Sequence, residues 1–347
     1  MAIKLVKSNV TVFVIICLGV FLVPLFLKEY FIYLLAFMAV TFITVQGLNI
    51  MIGLTGLFSL GQAGSAAIGA YIGSILEANV PWIPFPLIIL LACLGTTIVG
   101  IIIGFPCLRL SGFYLAMGTF AFAEAIIVII KYLEPLTGGS SGMAVLKPSM
   151  FQFTINTTRG IFYMSSILAI LSQLLIMNIS KTKTGRALNA IREDELAAYS
   201  MGINVPRYKL IAFAMGSLYG GLGGILYAYL LGFIRGDFFS LQMALNLFLI
   251  LYVGGVGNVF GPLLGSAFIV LLPQILGGVF SRHLSLVYGV VLVVFILLIP
   301  NGMIGLLNKL QKKENDNTPA IGFKIGKVLS RLMSLGKPYK IRNNKNE

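Results

Sequence analysis

The chain has 347 residues, of which 58% are hydrophobic and only 10% are charged, and its formal net charge is +14. Its apolar residues form repeated runs of about 20, the length that crosses a bilayer as a helix, which excludes a soluble globular protein. A nucleic-acid-binding protein is also excluded, because the positive residues collect at a few edges of these runs. The runs do not alternate, so we expect helices and not a β-barrel.

The sequence predicts an all-α polytopic membrane protein with about ten transmembrane helices. The first run follows Lys4 and Lys7 as a signal peptide would, but no small-x-small cleavage site follows it, so it is interpreted as the first span. The candidate spans are residues 10–27, 31–50, 56–76, 85–105, 113–133, 161–179, 209–231, 241–257, 260–278 and 284–300.

Positive residues indicate which side each loop faces. They concentrate at the amino end, in the loop 180–208 and in the tail 309–347. Positive loops stay in the cytoplasm, and all three segments can do so because an even number of predicted spans separates each from the next. Both termini are therefore predicted to be cytoplasmic. The outward loops are then 77–84, 134–160, 232–240 and 279–283.

Polar side chains stand among glycines within several predicted spans. Such residues are costly in a membrane and are candidates for a substrate route, and a helix broken by glycines can present backbone groups to a cavity. The candidate pathway residues are Gln46, Asn49, Thr55, Ser59, Gln62, Glu124, Asn246 and Asn258. Leu48-Asn49 resembles Leu245-Asn246, a faint repeat consistent with two inverted five-helix halves. Close helix packing through small residues is the alternative interpretation.

Glu124 is predicted to be the one acidic residue deep in a span. Lys131 lies on the same helix face but two turns away, too far for direct pairing. Three roles stay open for Glu124: a structural hydrogen bonder between helices, a member of the route, and a proton-linked site.

The loop 180–208 carries the most charged window in the middle of the chain. Gly185 and Gly202 bracket good helix formers and Pro206 follows, which predicts one short helix. Small apolar residues recur along one face with only Asp194 between them, a pattern that suits docking into a groove. That face consists of Ala187, Ala190, Ile191, Ala197, Ala198 and Met201. A solvated amphipathic linker is the alternative.

No feature of the sequence indicates catalysis. No GxxxxGK[ST] phosphate loop occurs, and segment 322–328, the nearest imitation, lacks the Ser or Thr that would hold magnesium. No carboxylate pair, Ser/His/Asp set or Cys/His pair has catalytic or metal-ligand spacing. His283 is interpreted as an interfacial residue and the three cysteines as packing residues. The chain is predicted not to be an enzyme and to hold no metal.

The tail begins with a polar linker after Leu310. Apolar residues at helical spacing then predict an amphipathic basic helix over 321–335 that lies on the anionic cytoplasmic leaflet. Disorder is the alternative, because two glycines weaken this helix.

Several stretches together resemble the permease subunits of binding-protein-dependent ABC importers of the branched-chain amino acid family. The resemblance covers about residues 30–305. The stretches are GLNIMIGLTGLFSLGQAGSAAIGAY (47–71), LRLSGFYLAMGTFAFAEAI (108–126), TGGSSGM (137–143), GRALNAIREDELAAYSMGINVPRYKLIAFAMGSLYGGLGGILYAY (185–229) and LYVGGVGNVFGPLLGSA (251–267). The chain is therefore predicted to consist of a transmembrane permease domain, 1–308, and a basic cytoplasmic tail, 309–347.

In this family the loop 180–208 would be the coupling helix, which sits in a cleft of an ATPase subunit. The importer consensus is Glu-Ala-Ala, three residues, Gly. Ala197, Ala198 and Gly202 match it, whereas Leu196 stands in the glutamate place and Glu195 is displaced by one. The coupling residues so implied are Gly185, Arg186, Ala187, Ile191, Arg192, Glu195, Ala197, Ala198 and Gly202.

The resemblance also implies function and partners. The chain would move leucine, isoleucine or valine through a bacterial inner membrane by alternating access, with a second related permease, two ATPase subunits that bind ATP and magnesium, and an external binding protein. Outward-facing Lys147, Arg159 and Arg235 would meet acidic residues of that protein. The alternatives are a urea or short-chain amide importer of similar build, and an ion-driven secondary transporter.

Overall fold

The computed structural model describes the chain in part. The described residues are Pro24, 27–80, 82–150, 153–154, 157–276, 287, 289–291, 293, 295 and 302–305. The chain divides into two compact units, Met1–Leu306 and Leu307–Glu347, and all described residues belong to the first. Most of the first and last predicted spans, His283 and the tail with its helix 321–335 lie outside the described residues.

Helices make up most of the described chain, because an apolar run in hydrocarbon must pair its own backbone groups. They are α1 (Glu29–Leu48), α2 (Gln62–Asn79), α3 (Phe85–Cys107), α4 (Gly112–Tyr132), α5 (Glu134–Thr137), α6 (Thr158–Lys181), α7 (Lys183–Glu193), α8 (Glu195–Ser200), α9 (Val205–Leu231), α10 (Leu241–Gly254) and α11 (Gly261–Leu276). A π-helix, Asn49–Leu54, continues α1 directly.

Two short antiparallel ladders accompany the helices. The first pairs β1 (Met143–Ala144) with β4 (Phe233–Ile234). The second pairs β2 (Ser149–Met150) with β3 (Phe153–Thr154). The described chain is thus helical, with ladders only in loops between helices.

Within the described residues, 6 stretches are long and apolar enough to cross a membrane. They are Glu29–Leu54, Phe85–Cys107, Gly112–Tyr132, Thr158–Lys181, Val205–Leu231 and Gly236–Gly254, and they coincide with predicted spans. The small-residue helix α2 is not among them, and α11 has only 16 residues. The count of ten and the inverted repeats therefore stay predictions.

The described loops gather at two opposite ends of the helices. The basic side carries the loop 181–205, the end of the π-helix and the turn 255–260, which Arg192 brings together. The ladder side carries both ladders, and there Lys131 pairs with Asp237 at 2.8 Å. This division fits the predicted alternation of loops.

Helix α9 lies at the centre and packs against α1, α2 and α3. The close approach to α2 requires glycine: a Cβ on Gly224 would overlap the Ala66 carbonyl group, and a Cβ on Gly69 would overlap the backbone of Gly221. Without side chains at these points the two backbones touch, which is how small residues hold membrane helices together.

Substituting Gly224 tests this contact. Gly224→Ala should lower thermal stability in detergent, because the neighbouring atoms are backbone and overpacking costs about 1–3 kcal/mol. Gly95→Ala is the matched control, since its Cβ would meet only the end of the Ile72 side chain, at 2.8 Å. Equal melting temperatures for the two variants would contradict the α2–α9 contact.

Candidate functional site

The loop 180–208 does not form the single helix predicted between Gly185 and Gly202. Helix α7 ends at Glu193, Asp194 is extended with φ −158° and ψ 116°, and α8 begins at Glu195. The Asp194 carboxylate accepts a hydrogen bond from the Ala197 amide at 3.0 Å. Aspartate at the start of a helix satisfies an amide that has no partner in the helix, and here this preference ends one helix and starts another.

Helix α7 uses its apolar face within the chain. Ala187, Leu188 and Ile191 are 7%, 0% and 4% exposed, and Gly185 is buried against the end of α6. Arg186 is exposed and donates to the Lys181 carbonyl oxygen at 3.1 Å. The predicted face is therefore divided, and its α7 part is not a free surface.

Helix α8 and the residue after it present a different apolar surface, made of Leu196, Tyr199 and Met201, which are 79%, 70% and 84% exposed. Ala198 points the other way, is 4% exposed and belongs to a small cluster with Ile191 and Val205. Leu196 and Tyr199 were missed as site residues, although their spacing of three after an N-capping aspartate is a signal for a shared helix face.

The two ends of α8 are held differently. The Glu195 carboxylate pairs with Lys209 of α9 at 2.6 Å, and the Lys209 side chain is only 9% exposed. At the other end Gly202 has φ +82°, a conformation that favours glycine, with open space around it. The exposed Ala197 lies between them. Thus an ion pair connects the start of α8 to α9, and the chain after α8 turns at Gly202.

Arg192 extends from the end of α7 toward the membrane helices. Its Nη1 atom donates a hydrogen bond to the carbonyl oxygen of Gly53 in the π-helix. Its chain packs over Gly56, and the guanidinium lies where a Cβ on Gly257 would be. Arg192 therefore joins the loop 180–208 to the end of α1 and to the turn after α10.

Asn49 holds that turn from the other direction. Its side-chain amide donates to the Asn258 carbonyl at 3.0 Å and accepts from the Gly257 amide at 2.9 Å. The Asn258 side chain caps its own turn by accepting from the Phe260 amide at 2.9 Å. One helical turn before Asn49, the side chain of Gln46 donates a hydrogen bond to Gln173 of α6, and both glutamines donate to the Val259 carbonyl oxygen.

The remaining pathway candidates near the helix break are buried and bonded to backbone. Thr55 donates to the Ile50 carbonyl at 3.0 Å, and Ser59 accepts from the Gly61 amide at 3.2 Å. Gln62 donates to the carbonyl oxygens of Thr44 and Gly216, at 3.0 and 3.1 Å. Its own Oε1 atom has no protein partner within the described chain, and Gln62 is among the residues that line a cavity of about 20 Å³.

Asn246 lies apart from this cluster. It lines a groove of about 520 Å³ near the ladder side, between α1, α9, α10 and α11. Aromatic and amide side chains share the lining, among them Tyr33, Tyr227 and Gln242. The eight predicted pathway residues therefore do not form one continuous lining in this conformation.

Glu124 was predicted to be the acidic residue buried deep in a span, but the structure places a different one there. Glu77 of α2 is the deeply buried one, 2% exposed, and it accepts a hydrogen bond from Tyr229 of α9 at 2.7 Å. Glu77 was not predicted to be buried, because the sequence placed it in the outward loop 77–84, just after the predicted span 56–76. Glu124 is only partly buried in α4, and Lys131 pairs with Asp237 on another segment.

The three predicted docking residues lie on the ladder side and are exposed. Arg235 also pairs with Asp237 at 3.2 Å and lies over the Phe238 ring, 5.8 Å from its centroid. Lys147 lies just beyond the first ladder, and Arg159 is the second residue of α6. They are placed at one end of the helices, opposite α8.

Within the described residues, no group of three or more His, Cys, Asp and Glu side chains could hold a metal ion. Cys93 and Cys107 are buried free thiols in α3. At the basic side, Arg192 and Glu195 make structural bonds to the Gly53 carbonyl oxygen and to Lys209.

Comparisons with known proteins identify relatives along most of the chain. Residues 30–299 match the family model described as branched-chain amino acid transport system / permease component. No solved structure gives a significant match.

Three relatives are named as permease proteins of high-affinity branched-chain amino acid transport systems. LivM of Salmonella typhimurium is 30% identical over 74% of this chain and 66% of its own length. LivM of Escherichia coli is 29% identical over 78% and 68%. LivH of Escherichia coli is 24% identical over 53% and 62%. The chain thus spans about two thirds of the length of these relatives, and it belongs to the family of permease components of branched-chain amino acid transport systems.

Proposed function

We propose that the chain is the membrane-spanning subunit of an ATP-driven importer that moves leucine, isoleucine and valine from an external binding protein to the cytoplasm by alternating access. The observation that carries this proposal is the pair α7–α8, which exposes an apolar surface at one end and reaches the helix break through Arg192 at the other. A docking surface connected to a broken membrane helix is what a driven permease needs.

The proposed complex holds two ATPase subunits, a second related permease and the binding protein. Two different permease proteins of one named system, LivM and LivH of Escherichia coli, both resemble this chain, which supports a paired arrangement. ATP and magnesium would be bound by the ATPases, and this chain would hold no cofactor. We place it in a bacterial inner membrane with α8 and both termini in the cytoplasm, in agreement with the positive residues.

The contacts around α8 suggest how a movement of the ATPase would reach the membrane. A displacement of α8 acts on α9 through the Glu195–Lys209 pair and on the π-helix through Arg192. Helix α9 in turn touches α2 backbone to backbone at Gly224. ATP can shift the conformation only if these contacts differ between the inward-open and outward-open states.

The substrate route follows from the polar residues less directly. Most buried candidates bind backbone groups of the protein itself, whereas Asn246 lines an open groove near the ladder side. A branched aliphatic amino acid is a zwitterion with an apolar side chain, and a groove with both aromatic and amide walls suits it. We therefore place substrate entry at the ladder side, beside the proposed docking residues Lys147, Arg159 and Arg235.

Uptake by reconstituted vesicles tests the proposed function. Vesicles with this chain, a LivH-like permease, both ATPases and the binding protein should accumulate labelled leucine only with ATP, and unlabelled valine should compete while urea should not. Vesicles with a hydrolysis-deficient ATPase are the control. Uptake driven by an ion gradient without ATPases, or ATP-dependent uptake of urea instead of leucine, would replace this proposal by one of its alternatives.

A charge on the exposed surface of α8 tests ATPase docking. Leu196→Asp should reduce co-purification of the ATPase, since losing the burial of one leucine costs about 1.5–3 kcal/mol, roughly ten- to hundredfold in affinity. Leu136→Asp makes the same change at an exposed leucine of the ladder side and should bind ATPase normally. If both variants retained the ATPase, α8 would not be the docking surface.

Arg192 should affect leucine uptake but not binding of the ATPase. Arg192→Gln should keep the ATPase bound but lower leucine uptake roughly tenfold or more, because a hydrogen bond with a charged partner contributes about 1.5–3 kcal/mol. Lys183→Gln removes an exposed positive charge from the same helix and serves as the control. Unchanged uptake by a well-expressed Arg192→Gln protein would show that the Gly53 contact does not transmit the movement.

A further inference from the structure

Helix α4 is the least enclosed of the candidate spans. Only 33% of its most apolar window is buried, against 61% for α9. Its exposed residues follow one face from the basic side to the ladder side. This face, named the α4 face, consists of Tyr114, Met117, Ala121, Ala125, Val128 and Tyr132, with the partly buried Glu124 beside Ala121 and Ala125.

Glu124 makes the α4 face unsuited to lipid. It lies near the middle of a membrane-length helix, and among the described residues it has no hydrogen-bond or ion-pair partner. The nearest cation on its own helix, Lys131, is already paired with Asp237. A carboxylate at the centre of a bilayer costs about 2.5–3.5 kcal/mol on insertion scales, so such residues face protein or water.

Helix α3 provides the internal comparison. Its exposed face is entirely apolar and made of large residues: Leu87, Leu90, Leu94, Ile98, Ile102 and Phe105. This composition is that of a lipid-facing helix. The α4 face instead combines a carboxylate with Ala121 and Ala125, small exposed residues that let another helix approach closely. The two helices are similarly exposed, but the exposed side chains of α3 are all apolar whereas those of α4 lie beside a carboxylate.

We propose that the α4 face is the contact surface for the second permease subunit, and that Glu124 accepts a hydrogen bond from a donor side chain of that subunit. The inference rests on the proposed function, because that function requires a second related permease. A membrane-embedded protein partner can supply the donor that lipid lacks. The resemblance of the chain to both LivM and LivH makes a related permease the appropriate occupant.

Site-specific photocrosslinking tests the surface. Benzoylphenylalanine is placed at Ala121 in one protein and at Ile98 of α3 in a second, each produced with the LivH-like permease, and intact membranes are irradiated. The Ala121 protein should shift by the mass of one permease, whereas the Ile98 protein should not. A permease adduct at Ile98, or only lipid adducts at Ala121, would overturn the proposal.

Two Glu124 variants test the hydrogen bond. Glu124→Leu should lower the amount of second permease that co-purifies by about three- to tenfold, the range measured for polar contacts between membrane helices, while Glu124→Gln should retain it. Equal recovery with Leu and Gln would contradict the role of Glu124. Neither readout needs ATP or substrate, so failure of leucine uptake would refute the proposed function without deciding this interface.

Discussion

A break in a membrane helix leaves backbone groups unpaired, and in hydrocarbon the protein itself must pair them. This constraint governs the region where α1 passes into a π-helix and then into the irregular segment before Gln62. Arg192 binds the Gly53 carbonyl, and Asn49 binds both backbone groups that the turn at Gly257 and Asn258 presents. One set of hydrogen bonds therefore positions the charged loop, the broken helix and the turn after α10 relative to each other.

The same constraint explains why polar residues in the spans are buried. A polar side chain in an apolar interior is tolerated when it is hydrogen-bonded. Gln62 donates to carbonyl oxygens of α1 and α9, and Gln46 donates to the Gln173 side chain of α6 and to the Val259 carbonyl oxygen in the turn before α11. In this conformation they connect helices. A change of state that moved the π-helix would have to exchange these partners, and π-helical segments are frequent at functional sites.

Local apolar runs predicted helix positions well: the predicted span 85–105 corresponds to α3 at Phe85–Cys107. Two features depended on information that such runs do not contain. The Asp194 carboxylate accepts a hydrogen bond from the Ala197 amide and so caps a new helix, a local preference that competes with continuation of the first helix. Glu77 was hidden because its partner Tyr229 is distant in sequence, and hydropathy alone assigned it to a loop. The predicted tail helix lies outside the described residues.

The break at Asp194 lets the two helices of the loop 180–208 face in different directions. In one continuous helix, Ile191, Ala198 and their neighbours would share a single stripe that could face either the permease or a partner. Because the direction changes at Asp194, α7 keeps its apolar face on the membrane helices while α8 turns Leu196 and Tyr199 outward. The inward anchors of this segment, Arg192 and the Glu195–Lys209 pair, flank the break. In the proposed importer, a push on the outer surface would therefore be delivered over a short distance, where bending absorbs little of it.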